Sequence, residues 1–318
     1  MRRKVTIIGS GNVGASTAQL VALGGVADVV LYDVVVGFPQ GKALDLAQAC
    51  PLYGSSVSVI GTNSFEETAN SDILVITAGF ARKPGMSRDD LAATNAGIVK
   101  SVVAEAAKRS PEAVIIVVTN PMDTMAQLTL RVSGFSPRRV VGMGGILDSA
   151  RFRAFAAQEL SVSATDVEAL VMGGHGDQMV PMPRFTTVKG ISITKLLPED
   201  RVSRLIERTR QGGAEIVSLL QTGSAFYAPA AAVNQMIMSI ILDQKKVLPC
   251  SAYLDGEYYA RDVFTGVPVI LGSGGIEAIV ELELEAQERE FFENSVAAIR
   301  ALGNIILREE RMTNDRTG

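Results

Sequence analysis

Gly9-Ser10-Gly11-Asn12-Val13-Gly14 follows the apolar run Val5 to Ile8 and opens a helix-like stretch at about 11 to 23. Strand, glycine turn and helix are the context in which a G-x-G-x-x-G spacing cradles a pyrophosphate. The glycines permit a tight turn and close backbone approach, and the helix start offers unpaired N–H groups and a positive dipole end. A second strand-like run, Val29 to Tyr32, ends at Asp33, 19 residues after Gly14. A carboxylate there accepts hydrogen bonds from a ribose diol and repels a 2′-phosphate, so the spacing predicts a dinucleotide site that favours NAD over NADP.

Outward from this turn the rhythm continues. Further strand-like runs are Ser56 to Ile60, Ile73 to Thr77, Val114 to Val118 and Val140 to Met143, with helix-like segments at about 40 to 50 and 90 to 109. Continuous apolar strands alternating with amphipathic segments read as an α/β chain with a doubly wound parallel sheet covered on both faces. The pattern changes near 143. Beyond it come a helix at about 148 to 160, a strand from Val167 to Met172 and a hairpin turning at Lys189-Gly190. Helices at about 199 to 220 and 225 to 243 follow, then strands near 247 to 254 and 267 to 272. A last helix, about 285 to 308, carries Phe291, Phe292, Val296, Ile299, Leu302 and Ile306 on one face, and the polar end after it is expected to fray. Two domains are expected, 1–143 for the cofactor and 144–318, an α+β unit, for substrate and catalysis.

The 318 residues are 47% hydrophobic, enough for a large core, yet no run approaches the roughly 18 to 20 apolar residues of a membrane span. The opening Met-Arg-Arg-Lys leads directly into a strand, so no secretory signal is expected. Cys50 and Cys250 form neither a disulfide framework nor a metal-ligand spacing, which suits a reducing cytoplasm and no metal site. A net charge of −4 without a basic block argues against a nucleic-acid partner.

Four further clusters carry chemistry. Ala81-Arg82-Lys83-Pro84-Gly85-Met86-Ser87-Arg88 follows the fourth strand at the sheet edge where open α/β folds bind ligands. By spacing alone it is equally a solvated basic loop. Thr119-Asn120-Pro121-Met122-Asp123 ends the fifth strand; Asn120 offers a donor and an acceptor, and the bond to Pro121 is a candidate cis peptide. A plain turn opening a helix explains Pro121 and Asp123 but leaves Asn120 unaccounted for. Asp148 and Arg151 share one face of a helix, where an ordinary salt bridge is the default. His175, in Met-Gly-Gly-His-Gly-Asp, is the sole histidine and so the sole imidazole for proton transfer, although a lone histidine is more often structural.

In this order, G-S-G-N-V-G, Asp33, A-R-K-P-G-M-S-R-D-D, T-N-P-M-D, L-D-S-A-R and G-G-H-G-D resemble the lactate/malate dehydrogenase family over about residues 4 to 305. The Arg82 loop and M-G-G-H-G-D-x-M-V-P look most like the bacterial malate enzymes of lactate dehydrogenase-like sequence. The resemblance implies a Rossmann domain binding NAD through Gly9, Ser10, Gly11, Asn12, Val13, Gly14 and Asp33, with Asn95, Val118, Thr119 and Asn120 at its nicotinamide half. It implies that His175 exchanges a proton with the C2 oxygen of malate or oxaloacetate and that Asp148 orients it. Arg151 would grip the C1 carboxylate, Arg88 would polarise the C2 carbonyl, and Asn120 would bond the substrate oxygen. Arg82 would meet the second carboxylate, where lactate enzymes carry a neutral amide.

Gly223-Ser224-Ala225 is expected to form the far wall of the pocket. A homo-oligomer is expected, a tetramer ahead of a dimer, through Gln40 to Cys50 and the 199–220 helix, though each could equally be an ordinary helix with one face on its own core. Two alternatives stay open: another 2-hydroxyacid dehydrogenase of this fold, such as lactate dehydrogenase, and a non-catalytic dinucleotide sensor. Arg82 speaks against the first. The second has no need of His175, Asp148, Arg151 and Arg88 together.

Overall fold

A computed structural model describes residues 2–80 and 88–314. The basic stretch around Arg82 lies outside them, and Arg88 is described only by its backbone place at the start of a helix.

The first half runs β1 (Lys4–Ile8), α1 (Asn12–Gly24), β2 (Asp28–Tyr32), α2 (Phe38–Ala49), β3 (Val59–Thr62), β4 (Ile73–Ile76), α3 (Arg88–Arg109), β5 (Val114–Val117), α4 (Met122–Ser133) and β6 (Val140–Gly142). These strands are parallel in the order β3-β2-β1-β4-β5-β6. The order reverses between β1 and β4, and an open doubly wound sheet binds its ligand at the carboxyl ends of such a pair. Every residue of β4 and of β5 is buried, which accounts for their unbroken apolar sequence.

The second half runs α5 (Gly145–Leu160), β7 (Val167–Glu168), β8 (Val171–Gly173), β9 (Met179–Pro181), β10 (Thr187–Val188), β11 (Ile191–Ser192), α6 (Ile193–Leu196), α7 (Glu199–Leu220), α8 (Tyr227–Ile241), β12 (Lys246–Asp255), β13 (Arg261–Gly272), β14 (Gly275–Ile279) and α9 (Ala286–Asn314). Antiparallel strands β12, β13, β8 and β9 extend the parallel sheet beyond β6, joined to it by the pairing of Ser251 with Gly142. The architecture is thus an N-terminal Rossmann domain and a C-terminal α/β domain.

On one side of the sheet α3 and α4 bury Val99, Val103 and Met125 against Ile8, Leu74 and Ile76. On the other, α8 packs on α1. A single apolar cluster there runs from Val5, Ala18 and Val21 through Val233 and Met236 to Cys250 and Val267, so the two halves share a core.

The strand expected from Ser56 runs Val59–Thr62, the one expected from about 267 starts at Arg261, and three further expectations need correction. The run from Val167 to Met172 is two strands in different sheets: Val167 and Glu168 pair with β10, while Val171 to Gly173 pair with β9. Apolar continuity hides this, because each piece opens on a wholly buried valine and only the long-range partners differ. The polar end of the last helix stays helical to Asn314. Lastly, α5 begins at Gly145, three residues before the expected start. The hairpin at Lys189-Gly190 is present, with positive φ at both positions (47° and 86°), as a two-residue turn of this kind requires. No helix among the described residues is long and apolar enough to cross a membrane.

Candidate active site

At the end of β1 the glycine turn is built by close contact. A Cβ on Gly14 would run into the Gly9 carbonyl, so only glycine lets α1 start this near the strand. Thr77 at the end of β4 donates its hydroxyl to the Gly9 carbonyl at 2.8 Å and fixes the turn from the neighbouring strand. The first bond within α1 runs from Ala15 N–H to Gly11 O at 2.9 Å, so the preceding amides lie at the open helix end, where an anion is favoured. Asp33 caps the next strand tip: its two carboxylate oxygens accept from Ser10 N–H at 2.7 Å and Val35 N–H at 3.1 Å. A cavity of about 620 Å³ opens here between Gly9, Asp33, Val35, Gly79 and Ile98. Mostly apolar walls with one fixed carboxylate suit an adenosine, and the glycine cradle suits its pyrophosphate, so the residues present fit a dinucleotide.

Three residues expected at the cofactor turn their polar atoms to the protein. Ser10 Oγ donates to Tyr32 O at 3.3 Å, and Thr119 Oγ1 donates to Ala78 O at 2.8 Å. Asn95, wholly buried, accepts from Phe80 N–H at 2.8 Å and donates to Asn120 O at 2.7 Å. Its amide ties the exits of β4 and β5 together. Gly11, Val13, Val118 and Asn120 do line the cavities, and the Asn120–Pro121 peptide is cis.

A second cleft, also about 620 Å³, is lined by Asn120, Arg151, His175, Arg210, Ser224 and Ala225. Of the expected far wall, Ser224 and Ala225 line this cleft and Gly223 does not. Asp148 sits in the first turn of α5, where the helix dipole favours a carboxylate, with its side chain only 1% exposed. One oxygen meets His175 Nδ1 at 2.9 Å; the other accepts from Arg151 Nη1 at 3.2 Å. Nε2 is then the histidine nitrogen left for a substrate. Arg151 Nε is buried without a hydrogen-bond partner among the described residues, and an unpaired buried donor is costly unless a ligand satisfies it. Burial pulls the His175 pKa down, but the charge and hydrogen bond of Asp148 outweigh it, with Arg151 opposing and Asp123 assisting, so the net shift is upward.

The loop holding His175 is pinned from outside the cleft. Ser295 on α9 accepts from Gly174 N–H at 2.8 Å and donates to Gln178 O at 2.6 Å. Asp123 on α4 accepts from His175 N–H at 2.8 Å. Sequence reading missed Ser295, Ser251, Glu207 and Arg210 and gave Asp123 only a helix-start role. Of these, only Asp123 carried a sequence signal, as a carboxylate in the first turn after the Asn120-Pro121 strand end. A basic group beside a dinucleotide site meets the two requirements of a dehydrogenase, an acceptor for hydride and an acceptor for the proton.

Residues 3–142 match the NAD binding domain of lactate/malate dehydrogenase, and residues 146–307 match its alpha/beta C-terminal domain. The malate dehydrogenase of Desulforudis audaxviator is 55% identical over 95% of this chain and 97% of that protein. The solved apo malate dehydrogenase of Picrophilus torridus superposes with a TM-score of 0.95 at 45% identity, covering 98% of this chain and 100% of that one. A lactate dehydrogenase of Cryptosporidium parvum, solved with lactic acid and the nicotinamide cofactor, superposes at 0.93 with 38% identity, covering 96% and 98%. The chain belongs to the lactate/malate dehydrogenase family. Its first domain is that family's NAD-binding domain, and NAD is its cofactor.

Proposed function

We propose that this chain oxidises (S)-malate reversibly to oxaloacetate, with residues 1–143 carrying the cofactor and 144–318 the acid–base pair. The observation that carries the reading is the linked set His175–Asp148–Arg151, of which His175 and Arg151 line the cleft, with one arginine donor unspent. Bound NAD supplies the hydride acceptor. The protein's own groups do the rest. His175 Nε2 takes the proton of the C2 hydroxyl while Asp148 holds the Nδ1–H tautomer and stabilises the imidazolium. Arg151 pairs the C1 carboxylate, and Asn120 bonds the substrate oxygen. In the reverse direction the imidazolium returns the proton. Arg88 and Arg82 take the roles the resemblance implies, Arg88 on the C2 carbonyl and Arg82 on the second carboxylate.

Malate is favoured over lactate by Arg82, and the 55% identical relative bears the name malate dehydrogenase. Initial rates with oxaloacetate and pyruvate, each with NADH and NADPH, test this. An arginine left unmatched in a closed pocket costs about 2–5 kcal/mol, or about 30- to several-thousand-fold in kcat/KM against pyruvate. Comparable values for the two substrates would overturn the assignment. Arg82→Gln is expected to lower oxaloacetate turnover far more than pyruvate turnover. NADH is expected to outperform NADPH because Asp33 faces the ribose side.

The chain also suits a homo-oligomer, a tetramer ahead of a dimer. Leu44 on α2 is 62% exposed and Leu219 on α7 is 76% exposed, which leaves apolar side chains on both expected interface helices. A monomer in sedimentation at micromolar concentration would refute this. The buried free thiols of Cys50 and Cys250 fit a reducing cytoplasm.

A further inference from the structure

Asp123 lies outside the set just described. It sits in the first turn of α4, is 6% exposed, and is absent from the lining of the substrate cleft. One carboxylate oxygen accepts the backbone N–H of His175 at 2.8 Å, and the other accepts the hydroxyl of Ser251, a wholly buried residue on β12, at 2.7 Å. Three separated parts of the chain therefore converge on one histidine, α5 on its ring and α4 and α9 on its loop, while β12 braces the α4 carboxylate from behind.

We propose that Asp123 is a positioning residue for His175 that fixes its backbone and places a second negative charge behind the imidazole, so that two carboxylates stabilise the imidazolium. The proposal rests on the reading of His175 as proton acceptor. Its physical basis is burial, with Asp123 6% and Ser251 0% exposed. Between buried groups a charge is weakly screened, and a carboxylate that spends both oxygens on donors is held in one geometry. Burial is the largest influence on the Asp123 pKa and pushes it up; the Ser251 and His175 hydrogen bonds and the His175 charge pull it down, Asp148 pushes it up, and the net shift is upward, while in its charged form Asp123 raises the pKa of His175. The other charged groups facing the histidine are Asp148 and Arg151 from α5, Glu207 and Arg210 across the cleft on α7, and Asp177 on its own loop. On the side away from the substrate cleft, Asp123 lines a smaller cavity of about 220 Å³ together with Arg131, Arg261, Asp262 and Arg300.

The variant Asp123→Asn separates geometry from charge. Its amide oxygen still accepts from His175 N–H, while its NH2 donates to Ser251 Oγ, because a hydroxyl serves in either role. Asp123→Ala removes both acceptors. Because the chain has one histidine, proton NMR of protein labelled with [13C]histidine titrates His175 with no assignment problem and no cofactor bound. In Asp123→Asn the midpoint is expected to fall, the acid limb of malate oxidation to move to lower pH with it, and KM for malate to stay within about threefold. In Asp123→Ala, kcat is expected to fall about 10- to 100-fold, since a buried N–H is left unpaired. If Asp123→Ala fails to fold, Asp123→Asn still decides.

An unmoved His175 midpoint in Asp123→Asn overturns the proposal. A midpoint that moves while the parent enzyme shows no acid limb leaves the charge coupling standing and overturns the reading of His175 as base.

Discussion

Asp148 holds two partners that compete for how a neutral replacement would sit, which makes Asp148→Asn a sharp perturbation. Arg151 can only donate, so the oxygen of the substituted amide turns to the guanidinium, which in the parent bonds one carboxylate oxygen at 3.2 Å. The amide NH2 is then left facing His175 Nδ1, which in the parent lies 2.9 Å from the other oxygen. That nitrogen must accept, the ring proton moves to Nε2, and the nitrogen facing the substrate can no longer take a proton. Restoring the productive tautomer means flipping the amide, which forfeits a hydrogen bond to a charged group, about 1.5–3 kcal/mol. The imidazolium also loses its anionic partner, again about 1.5–3 kcal/mol. Together these are about 3–6 kcal/mol, a fall in kcat of about 10²- to 10⁴-fold. Steady-state malate oxidation gives kcat and KM, and NADH fluorescence gives cofactor affinity, which is expected to stay within about threefold because the bonds of the Asp148 carboxylate go to His175 and Arg151. The chain has no tryptophan, so the NADH signal is read directly. A variant within tenfold of the parent kcat would refute the competition between Arg151 and His175 for this carboxylate.

Three further outcomes are expected. The His175 pKa is raised above its ordinary 6.5 because Asp148 outweighs burial. On the proposed role of His175, malate oxidation needs the neutral ring and should rise through a midpoint above 6.5, while oxaloacetate reduction needs the imidazolium and should fall through the same region; a midpoint below 6.5 in both pH–rate profiles would contradict the assigned charge balance. The same shift stabilises the fold fully below the unfolded pKa and is lost as pH rises through the folded one, so its share of Tm should decline across that window. Gly14→Ala forces a methyl against the Gly9 carbonyl. Overpacking of this kind costs about 1–3 kcal/mol, so NADH affinity should weaken by about 5- to 150-fold. Unchanged affinity in an NADH titration would mean the turn is not the pyrophosphate cradle.

What the sequence made legible was local. The glycine turn, Asp33 and the parallel strands up to Val140 each announce themselves within a few residues, because a tight turn needs glycine and a doubly covered strand needs an apolar run. The hairpin at Lys189-Gly190 was readable for the same reason. What escaped depends on partners far along the chain. β9 and β14 are short and exist through pairing with β8 and β13. The division of the run from Val167 to Gly173 is set by which strand each piece meets. The second carboxylate at His175 was hidden in the same way: Asp123 is 52 residues from His175 and 128 from Ser251, so no spacing rule joins them. Asn95 shows a subtler limit, since its side chain is fully used in bracing the backbone at Phe80 and Asn120.

His175→Asn tests the centre of the assignment most directly, because no other imidazole exists in the chain to substitute. Malate oxidation is expected to fall to the limit of detection while NADH binds with parental affinity. Substantial residual turnover, with the same pH dependence as the parent, would contradict the role of His175 as the proton acceptor.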